Sequence, residues 1–159
     1  MSVGSSLGDQ LTQKVSELKQ VISGISDDQA SKAQAEGGWC AKEVLSHLIG
    51  DEHSAIVERF KRFVEEDTPT IEVVRGVSAF DARRQQTPVP QLMETVESRY
   101  RTLAEFLSGL SDDQLGRKAH VPLLKESPLG EYPTLGQWAG FVINFHLNDH
   151  INQLRSLRA

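Results

Sequence analysis

The run Thr134-Leu135-Gly136-Gln137-Trp138-Ala139-Gly140-Phe141-Val142-Ile143-Asn144-Phe145-His146-Leu147-Asn148-Asp149-His150-Ile151 reads as a capped, amphipathic helix. Thr134 can accept from a free amide of the first turn while Gln137 at N3 reaches back to it, the reciprocal pattern of a capping box. Leu135, Trp138, Phe141, Val142, Phe145 and Ile151 then carry an apolar face to near the end of the chain. All six prolines (Pro69, Pro88, Pro90, Pro122, Pro128, Pro133) fall outside this run, in three clusters that leave three long proline-free stretches. Proline removes an amide and clashes with the preceding turn, so long helices belong in such stretches.

Working back along the chain, three more helices are expected. Thr87 before Pro88 is an N-cap followed by proline at N1, and Leu92, Val96, Tyr100, Leu103, Leu107 and Leu110 mark helix 3, about 88–110. Cys40, with Glu43 at N3 and Trp39 stapled to Val44, opens helix 2; Val44, Leu45, Leu48, Ile56, Phe60 and Phe63 extend it over about 41–66. Cysteine caps weakly, so the staple and Glu43 carry much of the start signal. Leu7, Leu11, Val15, Leu18, Ile22 and Ile25 give helix 1, about 6–25. Residues 67–87 and 111–133 are crossovers with short strands or turns. The octets Ile22–Gln29 and Leu107–Gln114 echo each other at the ends of helices 1 and 3, by duplication of a helical hairpin or by repeated use of one capping box.

Composition sets the functional class. The chain has 159 residues, 38% hydrophobic and 25% charged, enough for one domain of about 1–159 with a real core. Asp and Glu outnumber Lys and Arg by 22 to 17, for a net charge of -5, which argues against a nucleic-acid partner. One cysteine, Cys40, makes no intrachain disulfide framework, and the first residues lack a secretory pattern; a reduced, cytoplasmic setting is expected. No apolar run suggests a membrane partner. The expected partner is a small-molecule substrate, and the sequence is compatible with a homodimer.

Three histidines carry the chemistry. His146 and His150, at i and i+4, project from one face of helix 4 with a separation suited to one divalent metal, although such a pair is also an ordinary polar helix face. His47 lies near the start of helix 2, close to its apolar face. Its level coincides with that of His146 and His150 if helices 2 and 4 run antiparallel, which gives a three-histidine site for zinc or nickel with an open position. Leu147 stands where a His-Glu-x-x-His peptidase needs its glutamate, and no Glu-x-x-His pair exists, so a zincin and a di-iron bundle are both excluded. Asp51, about 40° around helix 2 from His47, is the candidate to orient a histidine or take a proton; Gln153 is similarly placed on helix 4 but reads more as solvated polarity. His53 and His120 read as structural or surface residues, and Cys40 as a small packed one.

These residues resemble the DinB superfamily. Trp39-Cys40-Ala41-Lys42-Glu43-Val44-Leu45-Ser46-His47-Leu48 is similar to the family's Trp-Ser-x-x-Glu-x-x-x-His-Leu block, with cysteine in place of serine at position 40. His146-Leu147-Asn148-Asp149-His150-Ile151-Asn152-Gln153 is similar to its closing His-x-x-x-His-x-x-Gln block. The resemblance implies an all-α four-helix bundle in which His47, His146 and His150 bind one divalent metal, commonly zinc or nickel. It also implies an S-transferase that uses a low-molecular-weight thiol (bacillithiol, mycothiol or glutathione) on a small electrophile, with a metal-dependent hydrolase or a non-catalytic metal-binding or ligand-binding bundle as alternatives. The level of the histidines further predicts up-down-down-up topology, because the 21 residues from 67 to 87 are ample to run back along helix 2.

Overall fold

The computed structural model describes residues 2–74 and 76–158. Ser2 caps α1 (Val3–Ser23), its hydroxyl accepting from Ser5 N at 3.1 Å. The long partner of this helix is α6 (Val89–Ser108). Gly4 and Gly8 let the two backbones close: a Cβ at Gly4 would meet the carbonyl of Leu107, and one at Gly8 would lie 2.8 Å from Ala104 O. Leu11, Leu18, Leu103 and Leu107 are wholly or almost wholly buried along this seam.

The two echoing octets fold alike. Each ends its helix on a glycine and starts a one-turn helix through a capping box: Ser26 with Gln29 at α2 (Asp27–Ala30), and Ser111 with Gln114 at a turn of the same length, Asp112–Leu115. Asp27 has a second task. Its Oδ1 accepts from Val89 N at 2.8 Å, so α6 is capped from across the bundle. Thr87, expected as that cap, instead donates to Arg83 O at 2.8 Å and closes the short helix α5 (Ala82–Gln86).

The helix expected over 41–66 is two helices, α3 (Ala41–Ile49) and α4 (Ile56–Glu65). Gly50 between them has φ 74° and ψ -157°, a region essentially closed to side-chain-bearing residues. The carbonyls freed by the break are met by Arg99 of α6: Nη1 donates to Ile49 O at 2.8 Å and Asp51 O at 2.7 Å, and Nη2 donates to Glu52 O at 3.1 Å. Periodicity ran through the gap because Ile56, Phe60 and Phe63 belong to a second amphipathic segment in nearly matching phase.

The last helix also departs from a plain α-helix. After the Asp112–Leu115 turn (α7) come α8 (Leu135–Phe141), a π-helical turn over Val142–His146, and α9 (Leu147–Arg158). Asn144 Nδ2 donates to Gly140 O at 3.0 Å within the wide turn.

Side-chain pairs give the directions. Lys14 meets Asn148 and Glu17 meets Arg155, so α1 and α9 run parallel. Lys42 meets Gln85 O and Ile49 O meets Arg99, so α3 follows the direction of α6. Gln34 reaches Ser156 O while Trp39 stacks on His150, so α3 opposes α9. The fold is therefore a four-helix bundle wound up-down-down-up. The crossovers touch each other, Ile71 N donating to His120 O and His120 N to Pro69 O, both at 2.8 Å. Among the described residues no helix is long and apolar enough to cross a membrane.

Candidate metal centre

Because α3 and α9 are antiparallel, His47 faces His146 and His150. One ring nitrogen from each lies within 4.8 Å of those of the other two, and the ring centroids are 4.7 to 5.3 Å apart. Two rings are held by their far nitrogens. His47 Nδ1 lies 2.7 Å from Val77 O, a carbonyl acceptor, so Nδ1 carries the proton and Nε2 keeps its lone pair. His150 Nδ1 lies 2.9 Å from Gln153 Oε1, with the same consequence.

Charge follows from the surroundings. Burial lowers the pKa of His146 to about 3, helped by the neighbouring His150 and His47. Burial likewise lowers that of His150, against a raising effect of its bond to Gln153. These two imidazoles are thus neutral near pH 7, the form that donates to a metal. An all-nitrogen, neutral donor set suits zinc or nickel.

The cluster opens into a cavity of about 540 Å³. Trp39, placed at the staple position, has become a wall: its ring lies 5.1 Å from His47 and stacks at 6.5 Å on His150. Val73, Val74, Leu123 and Leu124 from the two crossovers close one side, and Phe60 and Trp138 another. Phe141 and Phe145, expected in the core, line the cavity instead; Phe145 is 60% exposed, its ring 5.6 Å from that of Phe141. Phe145 lies within the π turn, whose extra residue turns the helix beyond it by about 100° relative to the part before. The polar lining besides the histidines includes Arg59, Asp149 and Gln153.

Asp51 does not hold the place expected of it. α3 ends at Ile49, which takes Asp51 off the face of His47; its Oδ1 accepts from His53 N at 2.7 Å, and it does not line the cavity. Asp149 is the carboxylate that does. Gln153, read as solvated, is the residue that orients His150. Nothing in the periodicity pointed to Val77, whose contribution is a backbone carbonyl from a crossover. Cys40 is buried, its thiol pKa pushed up by that burial, and it too lies outside the lining. His120 sits apart, 3.0 Å from Glu131 and stacked on Tyr132.

Residues 10–154 match the DinB superfamily. The chain belongs to that superfamily. A relative from Bacillus subtilis (strain 168), "Putative metal-dependent hydrolase YfiT", is 28% identical over 144 residues, covering 88% of this chain and 75% of its own. A similarly designated relative from Geobacillus kaustophilus (strain HTA426) is 26% identical over 144 residues, covering 90% and 77%. The solved structure of YfiT from Bacillus subtilis, described as having an unusual four-helix bundle topology, superposes with a TM-score of 0.78 over 97% of this chain and 85% of that one, at 23% identity. The superfamily member described here shares that fold.

Proposed function

We propose that this protein is a metal-dependent enzyme that activates a small nucleophile at a three-histidine centre and presents it to an apolar substrate in the adjoining cavity. The observation that carries the reading is the pairing of His47 Nδ1 with Val77 O and His150 Nδ1 with Gln153 Oε1, which aims the remaining nitrogen of each ring at a common point. A divalent ion held there supplies a Lewis acid that lowers the pKa of water or a thiol. The chain supplies the rest. Trp39, Phe60 and Trp138 give the cavity apolar walls, Phe141 and Phe145 offer aromatic faces to an apolar substrate, and Asp149 is the carboxylate available to take a proton.

Water as the nucleophile, and hence hydrolysis, agrees with the designation of the YfiT-like relatives. A low-molecular-weight thiol is the second reading. It is favoured by a cavity whose one cysteine candidate, Cys40, is buried elsewhere, so that any sulfur nucleophile must come from a cofactor. The two readings separate in one assay. Metal-loaded protein is incubated with ester and amide substrates and with electrophiles, each with and without bacillithiol, mycothiol or glutathione. Cleavage without thiol that disappears in His47→Ala supports hydrolysis; conjugation that requires thiol supports transfer. Neither activity across the panels, with metal bound, leaves a binding bundle and overturns the enzyme reading.

A further inference from the structure

A second cavity, also of about 540 Å³, lies between the end of α3, α5 and α6 and shares no lining residue with the histidine cavity. Arg84 and Arg99 meet there. Arg84 is 5% exposed, and its Nη1 is spent on neutral groups: Ser46 Oγ at 3.0 Å, Ser46 O at 3.2 Å and Ala79 O at 3.3 Å. Arg99 spends Nη1 and Nη2 on the three carbonyls of the α3–α4 break. Among the described residues neither guanidinium has a carboxylate within ion-pair distance.

In an acidic protein this arrangement is costly, because buried charges are normally paired and two like charges side by side repel. The carboxylates whose field reaches Arg84 are those of Asp81 and Asp51, and both are engaged with backbone amides, Arg84 N at 2.8 Å and His53 N at 2.7 Å. Arg84 keeps Nε and Nη2, and Arg99 keeps Nε, without a hydrogen-bond partner among the described residues, yet among those residues no buried polar side-chain atom is left unsatisfied, so these donors are not sealed off. Arg83, paired with Glu52, stands exposed at the rim.

We propose that this cavity binds a phosphate group, free or as the end of a small ester, between Arg84 and Arg99 with Arg83 at its mouth. A phosphate dianion neutralises both cations, the buried Arg84 and the half-buried Arg99, and offers enough acceptor oxygens for the unused donors, which a single carboxylate does not. The site is independent of the metal centre and of the reaction proposed for it.

The test is a titration of the nitrogen-15-labelled protein with inorganic phosphate, at ionic strength held constant with sodium chloride, following backbone amide shifts. Saturable shifts are expected at residues 83–99 and around Gly50. Arg83→Gln should weaken binding about threefold, as for a rim charge, and Arg84→Met should abolish it. The double variant His146→Ala, His150→Ala should bind as the parent does. Glycerol phosphate competing at the same amides assigns the site to esters, and failure to compete assigns it to the free ion. No saturable response, shifts confined to the histidine cavity, equal affinity for acetate, or unchanged binding in Arg83→Gln and Arg84→Met would each overturn the proposal. If Arg84→Met does not fold, the amide map and Arg83→Gln decide.

Discussion

The helix that brings His47 and the helix that brings His146 and His150 both abandon α geometry beside the site, by opposite means. The first is cut. Gly50 ends α3, six residues pass outside any helix, and the exposed carbonyls depend on Arg99 from a helix about 50 residues further along. The second is widened without being cut, and the π turn is serviced by Asn144, which belongs to it. The orienting partners differ in the same way: Val77 O reaches His47 from a crossover, whereas Gln153 is one turn from His150 on the same helix. One half of the centre is thus built by tertiary contacts, the other by local sequence.

Loss of the metal tests whether the halves form one site at all. The His146→Ala, His150→Ala double variant should lose the bound divalent ion, read by metal analysis of purified protein, while far-UV circular dichroism stays helical because the bundle core does not include these rings. Unchanged stoichiometry would break the assignment. A smaller effect sharpens the local half. Gln153→Leu removes the acceptor from His150 Nδ1 and should weaken metal affinity by about 10-fold to 100-fold, the usual cost of losing such a partner. A full-affinity Gln153→Leu protein would show that the bond at 2.9 Å does not select the tautomer.

The tertiary half is probed through the backbone. A Cβ at Gly50 would meet nothing within 4 Å, so the cost of Gly50→Ala is conformational alone, about 1–3 kcal/mol. Chemical denaturation should show that loss, and because α3 ends there the placement of His47 should loosen and metal affinity fall with it. A variant as stable as the parent would mean that the break tolerates ordinary φ values.

This contrast also explains what the sequence disclosed. His146, His150 and the capping box at Thr134 were legible because their spacing is local, and His47 joined them once helix levels were compared. The four-helix bundle followed from apolar periodicity at residues such as Leu11, Leu18, Leu103 and Leu107. Gly50 was hidden because Phe60 and Phe63 resume the pattern nearly in phase, so the continuous helix placed Asp51 beside His47 when the chain had already left that face. The π turn escaped because Phe141 and Phe145 keep helical spacing whichever way they point. Val77 and Arg99 act on or through backbone carbonyls across long loops, and no periodicity encodes such partners.

Both histidines whose proton affinity is depressed lie on the second half, which gives the smallest effect a clear sign. Near pH 7 the folded His146 is neutral while about a quarter of the unfolded rings already carry a proton, so the pH dependence is setting in. As pH falls through about 6.5, the ordinary histidine value, the unfolded chain takes up a proton that the folded protein refuses until about pH 3. The unfolded state then binds more protons, so folding stability must fall with pH across that window. Between pH 7 and 6 the loss from His146 is about 0.7 kcal/mol at most, less where water reaches the partly buried ring. His150 adds a loss of the same sign. The measurement is the unfolding free energy of metal-free protein at pH 7 and pH 6, for the parent and for His146→Ala. The variant should lose less stability between the two values than the parent; an identical loss would place the origin of any acid sensitivity in other groups and would mean that the ring of His146 is protonated as readily in the bundle as in water.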